Sequence, residues 1–461
     1  MAILLDFVSV AVLSPAPISP SPPTYRVLAM IALLALVLRG ALNLMQPSLS
    51  TDDADGYLAH ARLIEREHSF LGPYTLQPTA FRPPAYPLLL AAAIAIGLSD
   101  PTAVLLIHAL CTLLCLMATA RLSSQFGFSP GKTSITTLCV ALDPLLMRYS
   151  LQPMTEVPCA AILTMALVLC VAGRQSKCSH TAHLPIALSG LLLALGALTR
   201  PTLLLLAVLL TLSLVPARSL MNARSLANLA GAFRPALTFA VAFVLGLSPW
   251  LIRNAVQFHA LIPATTHGGY TLALGNNEAF YRDVIRGKDT FPWDGPALEQ
   301  WQQASLRQAS TEGVNVASER ALDAWYYQLA LRSIRQDPTS FFQACRLRIR
   351  RFWALAAADG ASSLQNLMLT AWYGTLWTGL IVTALAELRR RKKSLFTLLW
   401  LSLAAFCLMH IAYWTDARMR TPVMPVILIL AVHGWSLLLT AAAGHHWFRL
   451  RCADPDVSPR R

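Results

Sequence analysis

The chain has 461 residues, of which 55% are hydrophobic and 13% charged, and its formal net charge at pH 7 is +14. Soluble domains carry about 25% charged residues, so an ordinary globular protein is excluded. A disordered chain is excluded as well, because disorder requires low hydrophobicity. Much of the positive charge lies in short segments between apolar runs, where it indicates membrane topology. We therefore expect an all-α polytopic membrane protein with no nucleic-acid partner.

Ten apolar runs predict about ten transmembrane helices, because a membrane span needs roughly 20 residues. The predicted spans are 25–45, 102–120, 133–150, 157–173, 184–199, 202–216, 235–256, 364–386, 394–414 and 421–443. The segment Thr199-Arg200-Pro201 divides one long run into two short spans, since proline stops a helix. The run 85–98 is too short to cross, so we interpret it as a helix lying in the interface.

The distribution of basic residues predicts the orientation of the chain. With both termini cytoplasmic, the short basic clusters fall inside, above all Arg389-Arg390-Arg391-Lys392-Lys393, and only Arg418 and Arg420 are exceptions. We expect a multi-pass protein of the cell (inner) membrane, embedded in the lipid bilayer, whose active site is extracytoplasmic.

Five regions follow from this layout. They are a disordered leader at 1–24, a transmembrane catalytic module at 25–256 with its first outer loop at 46–101, an extracytoplasmic loop with amphipathic helices at 257–362, C-terminal transmembrane helices at 363–443 and a cytoplasmic tail at 444–461. The leader is proline-rich, which is typical of a segment without a packed structure.

Acidic residues follow the first predicted span directly, at Asp52, Asp53 and Asp55. One interpretation is a solvated acidic cap on an outer loop. Another is a divalent metal site, since carboxylate oxygens suit hard cations, but three Asp within four residues are a weak metal signature. A further carboxylate, Glu156, lies at the predicted outer mouth of the third and fourth spans.

Arginines occur on the same predicted side of the membrane as these carboxylates, at Arg200, Arg418 and Arg420. The ordinary interpretation is a side chain that anchors a helix by extending to the interface. An anionic ligand is the alternative, because the guanidinium group fits a phosphate with two parallel hydrogen bonds.

Seven short motifs occur in a characteristic order. They are Asp53-x-x-x-Tyr57, Phe81-Arg82-Pro83-Pro84-Ala85-Tyr86-Pro87, Thr155-Glu156, Leu198-Thr199-Arg200-Pro201, Ser248-Pro249-Trp250-x-x-Arg253-Asn254, Gly275-Asn276-Asn277 and Arg418-Met419-Arg420-x-Pro422. Their order and common outer location resemble the GT-C glycosyltransferases, within them the branch of protein O-mannosyltransferases and the lipid A aminoarabinose transferase. The resemblance runs from about residue 30 to 440, and no single motif is specific.

The resemblance implies a GT-C-type helical bundle with interfacial helices in the first outer loop. It implies transfer of a monosaccharide from a polyprenyl-phosphate donor to a hydroxyl group on a protein, lipid or glycan acceptor, with inversion by a general base. Asp53 matches the catalytic aspartate, with Asp52 as the neighbouring candidate, and Glu156 matches the second acidic position. Arg82, Arg200, Arg418 and Arg420 are candidates for the donor phosphate, in place of a metal, and Tyr57, His60 and Asn276 for the rest of the pocket. The resemblance assigns no certain cofactor and leaves a divalent metal open. We expect Asp55 to matter less than Asp53.

Two other functions stay open from the sequence. A polymerase or ligase of polyprenyl-linked polysaccharide uses arginines and a histidine in the long loop, and His267, Arg282 and Arg286 are placed for that. A transporter needs ionisable residues near the midplane of several helices, and Asp143 is the main acidic candidate within a predicted span.

Overall fold

In the computed structural model the chain is an assembly of α-helices, and the described residues contain no strand. The structure describes residues 25–176, 179–215, 226–287, 293, 295–356, 362–389 and 396–452. The predicted leader at 1–24, most of the basic run at 389–393 and the last nine residues of the predicted tail lie outside these ranges.

Seventeen labelled helices are used below. They are α1 (Tyr25–Met45), α2 (Tyr57–Glu67), α3 (Ala85–Ala95), α4 (Asp100–Gln125), α5 (Pro130–Leu142), α6 (Pro144–Tyr149), α7 (Glu156–Gln175), α8 (Ser179–Ala197), α9 (Thr202–Ser213), α10 (Leu226–Phe258), α11 (Gly268–Leu274), α12 (Gly295–Thr311), α13 (Glu319–Gln336), α14 (Pro338–Phe352), α15 (Ser363–Arg389), α16 (Thr397–Ala412) and α17 (Met424–Cys452). Short 3-10 helices span Pro47–Thr51 and Ala417–Val423, and a three-residue helix at Glu278–Phe280 continues into a single π turn.

Six of the described helices contain a stretch long and apolar enough to cross a membrane: α1, α4, α7, α10, α15 and α17. The other four predicted spans are present as helices, but they are shorter or interrupted. The span at 133–150 is divided into α5 and α6, and those at 184–199, 202–216 and 394–414 correspond to α8, α9 and α16. Proline lacks the N–H that continues a helix, so Pro144 begins α6 and Pro201 immediately precedes α9.

Helix α7 lies at the centre of the bundle. It packs against α4 and α8, α8 packs against α10, and α15 and α17 pack together. Of the apolar stretch of α7, 78% is buried, compared with 17% for the peripheral helix α1. A charged residue at the first position of α7 therefore lies in the interior of the protein.

The segment 46–101, predicted as the first outer loop and called so below, contains two short helices, α2 and α3, which pack on each other and on the start of α4. Helix α3 has 11 residues and is therefore about 16 Å long, against the 30 Å of a hydrocarbon core. Its length agrees with the prediction of a helix that does not cross the bilayer.

The described residues of the long segment, 257–287, 293 and 295–356, have a core of their own, and we call them the outer unit. Helices α11, α12, α13 and α14 and the short helix Glu278–Phe280 share a core, whose buried aromatic side chains include Phe280, Trp301, Trp325 and Tyr326. The sequence predicts amphipathic helices resting on the membrane face, whereas these helices pack on one another. Some apolar residues of these helices, such as Phe342 (69% exposed), lie outside this core, and the position of the helices on the membrane face stays a prediction.

Glu319 joins the outer unit to the first outer loop. Its carboxylate accepts hydrogen bonds from the Thr79 hydroxyl (2.5 Å), the Ala80 backbone N–H (3.0 Å) and the Thr266 hydroxyl (2.9 Å). The backbone N–H of Thr266 in turn donates to the carbonyl of Ala80 (2.9 Å). These bonds hold the segment before Arg82 against the outer unit.

Candidate functional site

Four parts of the chain meet at the start of α7 and bring five charged side chains together. These are Asp55 and Arg82 of the first outer loop, Glu156 at the first position of α7, Arg200 at the break between α8 and α9, and Arg418 before α17. We call these five residues the charged cluster. The sequence predicted four of them as site residues and gave Asp55 a lesser part.

Glu156 is the most deeply buried member of the charged cluster, with no exposed surface. Its Oε1 accepts a hydrogen bond from Nη1 of Arg200 (2.6 Å) and another from Nε of Arg418. Its Oε2 has no hydrogen-bond partner within the described part of the chain. Because an unpaired charge is costly in an interior, this carboxylate requires the two guanidinium groups.

Asp55 is the second carboxylate that holds these arginines. Nη2 of Arg418 donates to Oδ2 of Asp55, and Nη2 of Arg82 donates to Oδ1 (3.2 Å). Burial alone raises the pKa of Asp55, but the charges of Arg418 and Arg82 outweigh it and lower the pKa to about 2. Arg418 thus bridges Asp55 and Glu156, and Asp55 has a central place that the sequence did not predict.

Asp53 is oriented by the start of α2. Its Oδ1 accepts from the backbone N–H of Leu58 (3.0 Å) and its Oδ2 from that of Ala59 (2.8 Å), two donors that a helix leaves free at its start. Gly56 has a φ of 74°, a conformation that favours glycine, and it turns the chain between Asp55 and α2. Burial raises the pKa of Asp53, and the backbone hydrogen bonds offset only part of this effect.

Asp52 and Tyr57 flank the charged cluster. The exposed side chain of Asp52 accepts one hydrogen bond, from Nε2 of Gln152 (3.3 Å). Tyr57 is buried, and its ring lies 5.6 Å from the guanidinium carbon of Arg82. Tyr57 thus contributes an aromatic wall next to Arg82.

Arg420, His60 and Asn276 are predicted site residues that the structure does not bring into the charged cluster. The guanidinium of Arg420 donates to the carbonyl of Phe352 (2.6 Å) and lies 4.3 Å from the ring centroid of Tyr373. His60 hydrogen-bonds the carbonyl of Leu71 through Nδ1 (3.1 Å), and burial lowers its pKa to about 4.

Asn276 is fully buried and has partners for both ends of its amide. Nδ2 donates to the carbonyls of Leu272 (2.8 Å) and Ala412 (2.9 Å), and Oδ1 accepts from Nη2 of Arg348 (2.9 Å). Nη1 of Arg348 also donates to the carbonyl of Ile411 (2.9 Å). These contacts connect the outer unit to the end of α16 and indicate a structural part for Asn276.

His267 of the outer unit lies next to the charged cluster. Its ring meets that of Phe81 edge to face at 4.2 Å, and burial, together with the charge of Arg82, lowers its pKa to about 3. The other two residues placed for a polymerase or ligase are engaged elsewhere, since Arg282 pairs with Asp283 and Arg286 with Asp337. The three residues do not form a site together.

Two of the three carboxylates that follow α1 are engaged by hydrogen-bond donors on both oxygens. Both oxygens of Asp55 accept from guanidinium groups, and both oxygens of Asp53 accept from backbone N–H groups. Within the described ranges, no group of three or more His, Cys, Asp or Glu side chains has the arrangement to hold a metal ion. The positive charge of the site is supplied by arginines.

Comparison with known proteins identifies the fold. Sequence comparison finds no matching family model and no matching curated relative. The structure is similar to the oligosaccharyltransferase of Archaeoglobus fulgidus solved with zinc and sulfate, with a TM-score of 0.52 and 15% identity over 93% of this chain and 51% of that one. The chain thus spans about half the length of that protein, and the likeness shows that it has the GT-C fold.

Two further solved structures are similar at a lower level. They are ArnT of Cupriavidus metallidurans in the apo state, with a TM-score of 0.38 and 15% identity over 87% of this chain and 77% of that one, and the same protein bound to undecaprenyl phosphate, with a TM-score of 0.42 and 12% identity over 88% and 76%.

Proposed function

We propose that this GT-C-fold chain is a membrane glycosyltransferase that moves a monosaccharide from a polyprenyl-phosphate donor to a hydroxyl acceptor on the extracytoplasmic side. The observation that carries the proposal is that Arg82, Arg200 and Arg418 converge on two carboxylates. One of these carboxylates, Asp55, lies two positions after Asp53 in the chain. The fold shared with an oligosaccharyltransferase supports the same class of reaction.

The arginines of the charged cluster bind the phosphate of the donor in this proposal. Each guanidinium group has five N–H donors, and the carboxylates accept only part of them. Asp55 and Glu156 hold the three groups together by ion pairs, and the leaving phosphate gains its charge beside them. Fixed cations at that position stabilise the transition state without reorganising, which is the largest contribution in many enzymes.

Asp53 is the general base. The acceptor oxygen forms a bond to the anomeric carbon while the bond from that carbon to the phosphate oxygen breaks, and the hydroxyl proton passes to the Asp53 carboxylate. The raised pKa of Asp53 makes it a stronger base than Asp55, whose pKa is lowered to about 2. A single displacement of this kind inverts the anomeric centre and releases polyprenyl phosphate.

The test is incubation of the purified protein with a panel of polyprenyl-phosphate monosaccharides and candidate acceptors. One donor should be consumed, with stoichiometric release of polyprenyl phosphate. Asp53→Asn should reduce kcat by about 10²–10⁴ and leave the KM for the donor near its original value, because the amide has nearly the same shape and still accepts one of the two backbone hydrogen bonds, but it accepts no proton.

Asp52→Asn is the matched control, since it makes the same change one residue away on an exposed side chain. Full activity of Asp53→Asn together with an inactive Asp52→Asn moves the base by one residue. Full activity of both variants, or no transfer from any donor in the panel, contradicts the proposed function.

A further inference from the structure

Two methionine side chains contact arginines of the charged cluster. Met154 lies two positions before Glu156, and Met419 directly follows Arg418 in the chain. The sulfur of Met154 accepts a hydrogen bond from Nη2 of Arg418 (3.0 Å), and the sulfur of Met419 accepts one from Nη2 of Arg200 (3.1 Å). Each methionine thus contacts an arginine that belongs to a distant segment of the chain.

The N–H groups of these two arginines have acceptors of very different strength. A carboxylate forms a strong, charge-assisted hydrogen bond with a guanidinium group, whereas a thioether sulfur is a weak acceptor. In Arg200, Nη1 donates to Glu156 (2.6 Å) and to the Thr155 hydroxyl (3.2 Å), and Nη2 donates to the methionine sulfur. In Arg418, Nε donates to Glu156, and Nη2 donates both to Asp55 and to the other sulfur. The carboxylates therefore fix the guanidinium groups, and the sulfurs hold part of the remaining N–H groups weakly.

A thioether acceptor is easily displaced from an N–H group. The methionine side chain is unbranched and has three rotatable bonds, so its sulfur can move away without a shift of the backbone. An anionic oxygen forms the stronger hydrogen bond with a guanidinium group, and it therefore replaces the sulfur when both compete for one N–H group. The weakly held N–H groups are thus the ones most readily available to an anionic ligand.

We propose that Met154 and Met419 are positioning residues that set the affinity of the protein for the anionic group of its donor. Their sulfurs hold Nη2 of Arg418 and Nη2 of Arg200 in the free protein and release these N–H groups to phosphate oxygens when the donor binds. The inference rests on the proposed function, because it assigns the N–H groups that bind the donor phosphate. A weak acceptor keeps the N–H groups oriented, whereas a strong acceptor would compete with the donor.

The test changes the strength of the acceptor at Met419 in both directions. Met419→Leu removes the acceptor and nearly conserves the volume of the side chain. Hydrogen peroxide transfers one oxygen atom to the sulfur and is itself reduced to water, and the resulting sulfoxide is polar and accepts through its oxygen. Met419 is partly exposed and therefore open to this reagent, whereas Met154 is only 4% exposed.

The measured quantity is the Kd of a radiolabelled polyprenyl phosphate for the full-length protein in phosphatidylcholine nanodiscs. Met419→Leu should lower this Kd about threefold, because the phosphate no longer displaces an acceptor. Oxidation of Met419 should raise it about tenfold, because the phosphate then displaces a stronger acceptor. The Kd of the matching uncharged polyprenol should not change in either case. A side chain that only fills space would weaken binding with both changes, so the opposite signs distinguish the two roles.

Met154→Leu is a second variant with the same expected decrease in Kd, and it keeps the test valid if Met419→Leu does not fold. Peroxide treatment of Met419→Leu controls for oxidation elsewhere in the chain and should leave the Kd of that variant unchanged. Met368→Leu, at a 64% exposed position of α15, controls for the substitution itself and should also leave the Kd unchanged. A Kd that does not fall in a folded Leu variant of Met154 or Met419 overturns the proposal. A sulfoxide at Met419, identified by peptide mass spectrometry, that leaves the Kd unchanged overturns it too.

The two proposals fail separately in this design. The KM for the donor should follow the Kd while kcat stays constant, because the methionines hold the arginines only in the free protein. The predicted changes in Kd with no transfer from any donor contradict the glycosyltransferase function and retain the role of the methionines. Transfer with a donor KM that neither the Leu substitutions nor oxidation alters contradicts that role and retains the function.

Discussion

Replacing Asp55 by Asn removes the carboxylate that Arg82 and Arg418 share, and it keeps the shape of the side chain. The pKa of Asp55 falls from an ordinary value of 3.8 to about 2 in the folded chain, which corresponds to about 2 kcal/mol in favour of the ionised form. Because the folded pKa is the lower one, this stabilisation is present above the unfolded pKa and is lost as the pH falls through about 2. At pH 7 Asp55→Asn should therefore lower the free energy of unfolding by about 2 kcal/mol.

If these ion pairs also position Arg82 and Arg418 to bind the donor phosphate, Asp55→Asn should weaken the transition state for transfer by a similar free energy. About 2 kcal/mol corresponds to a decrease of about 30-fold in kcat/KM for the donor. Unfolding is measured by detergent titration of the purified protein, and kcat/KM by release of polyprenyl phosphate. Between about pH 5 and 8 the stability difference between Asp55→Asn and the original protein should stay nearly constant, since Asp55 is ionised in both the folded and the unfolded chain.

Asp52→Asn is the control, because Asp52 is exposed and accepts one hydrogen bond, from Gln152. Its effect on the free energy of unfolding should stay within about 0.5 kcal/mol. If Asp55→Asn changes the free energy of unfolding and kcat/KM no more than this control does, the ion pairs of Asp55 neither stabilise the fold nor position the arginines. That result refutes the prediction.

Three further predictions concern the charged cluster and the orientation of the chain. Glu156→Gln leaves Arg200 and Arg418 without their buried counter-ion and should cost about 3–5 kcal/mol in a detergent unfolding titration; a loss below about 1 kcal/mol contradicts the buried pairing. Dialysis against EDTA should leave glycosyl transfer unchanged, because arginines supply the positive charge; a loss restored by Mg²⁺ or Mn²⁺ refutes this. Cysteines introduced at Thr311 and at Lys392 should react with an impermeant thiol reagent from opposite sides of the membrane, and reaction from one side only disproves the predicted topology.

The helical architecture could be predicted well from the sequence. An apolar run indicates a helix, and a proline interrupts one, without any contribution from distant parts of the chain. Pro144 and Pro201 mark breaks that the structure has at those positions. The break at Pro144 was nevertheless missed, since a run of apolar residues at 133–150 has the same composition whether it forms one helix or two.

The structure brings together those predicted site residues that lie on distant segments and carry opposite charges. Arg200, Arg418 and Glu156 lie in contact, and their occurrence on one predicted side of the membrane was the available signal. The position of Asp55 in the charged cluster could not be predicted from the periodicity of a helix or strand, because the chain turns there at a glycine with positive φ. Arg420, only two residues from Arg418, points into a different environment, and sequence spacing alone does not distinguish the two.

The hydrogen bonds from Asn276 and Arg348 to α16 determine which changes in α16 keep the outer unit attached to it. Their acceptors on α16 are the backbone carbonyls of Ile411 and Ala412, which every amino acid type possesses. Side-chain substitutions at these two positions of α16 therefore preserve the acceptors. A single-residue insertion within α16 does not, because it shifts the following carbonyls by about 1.5 Å along the helix and rotates them by about 100°. If the segment 257–362 is grafted onto another protein, these hydrogen bonds form only where the recipient helix ends at the matching position. The side chains of that helix matter less.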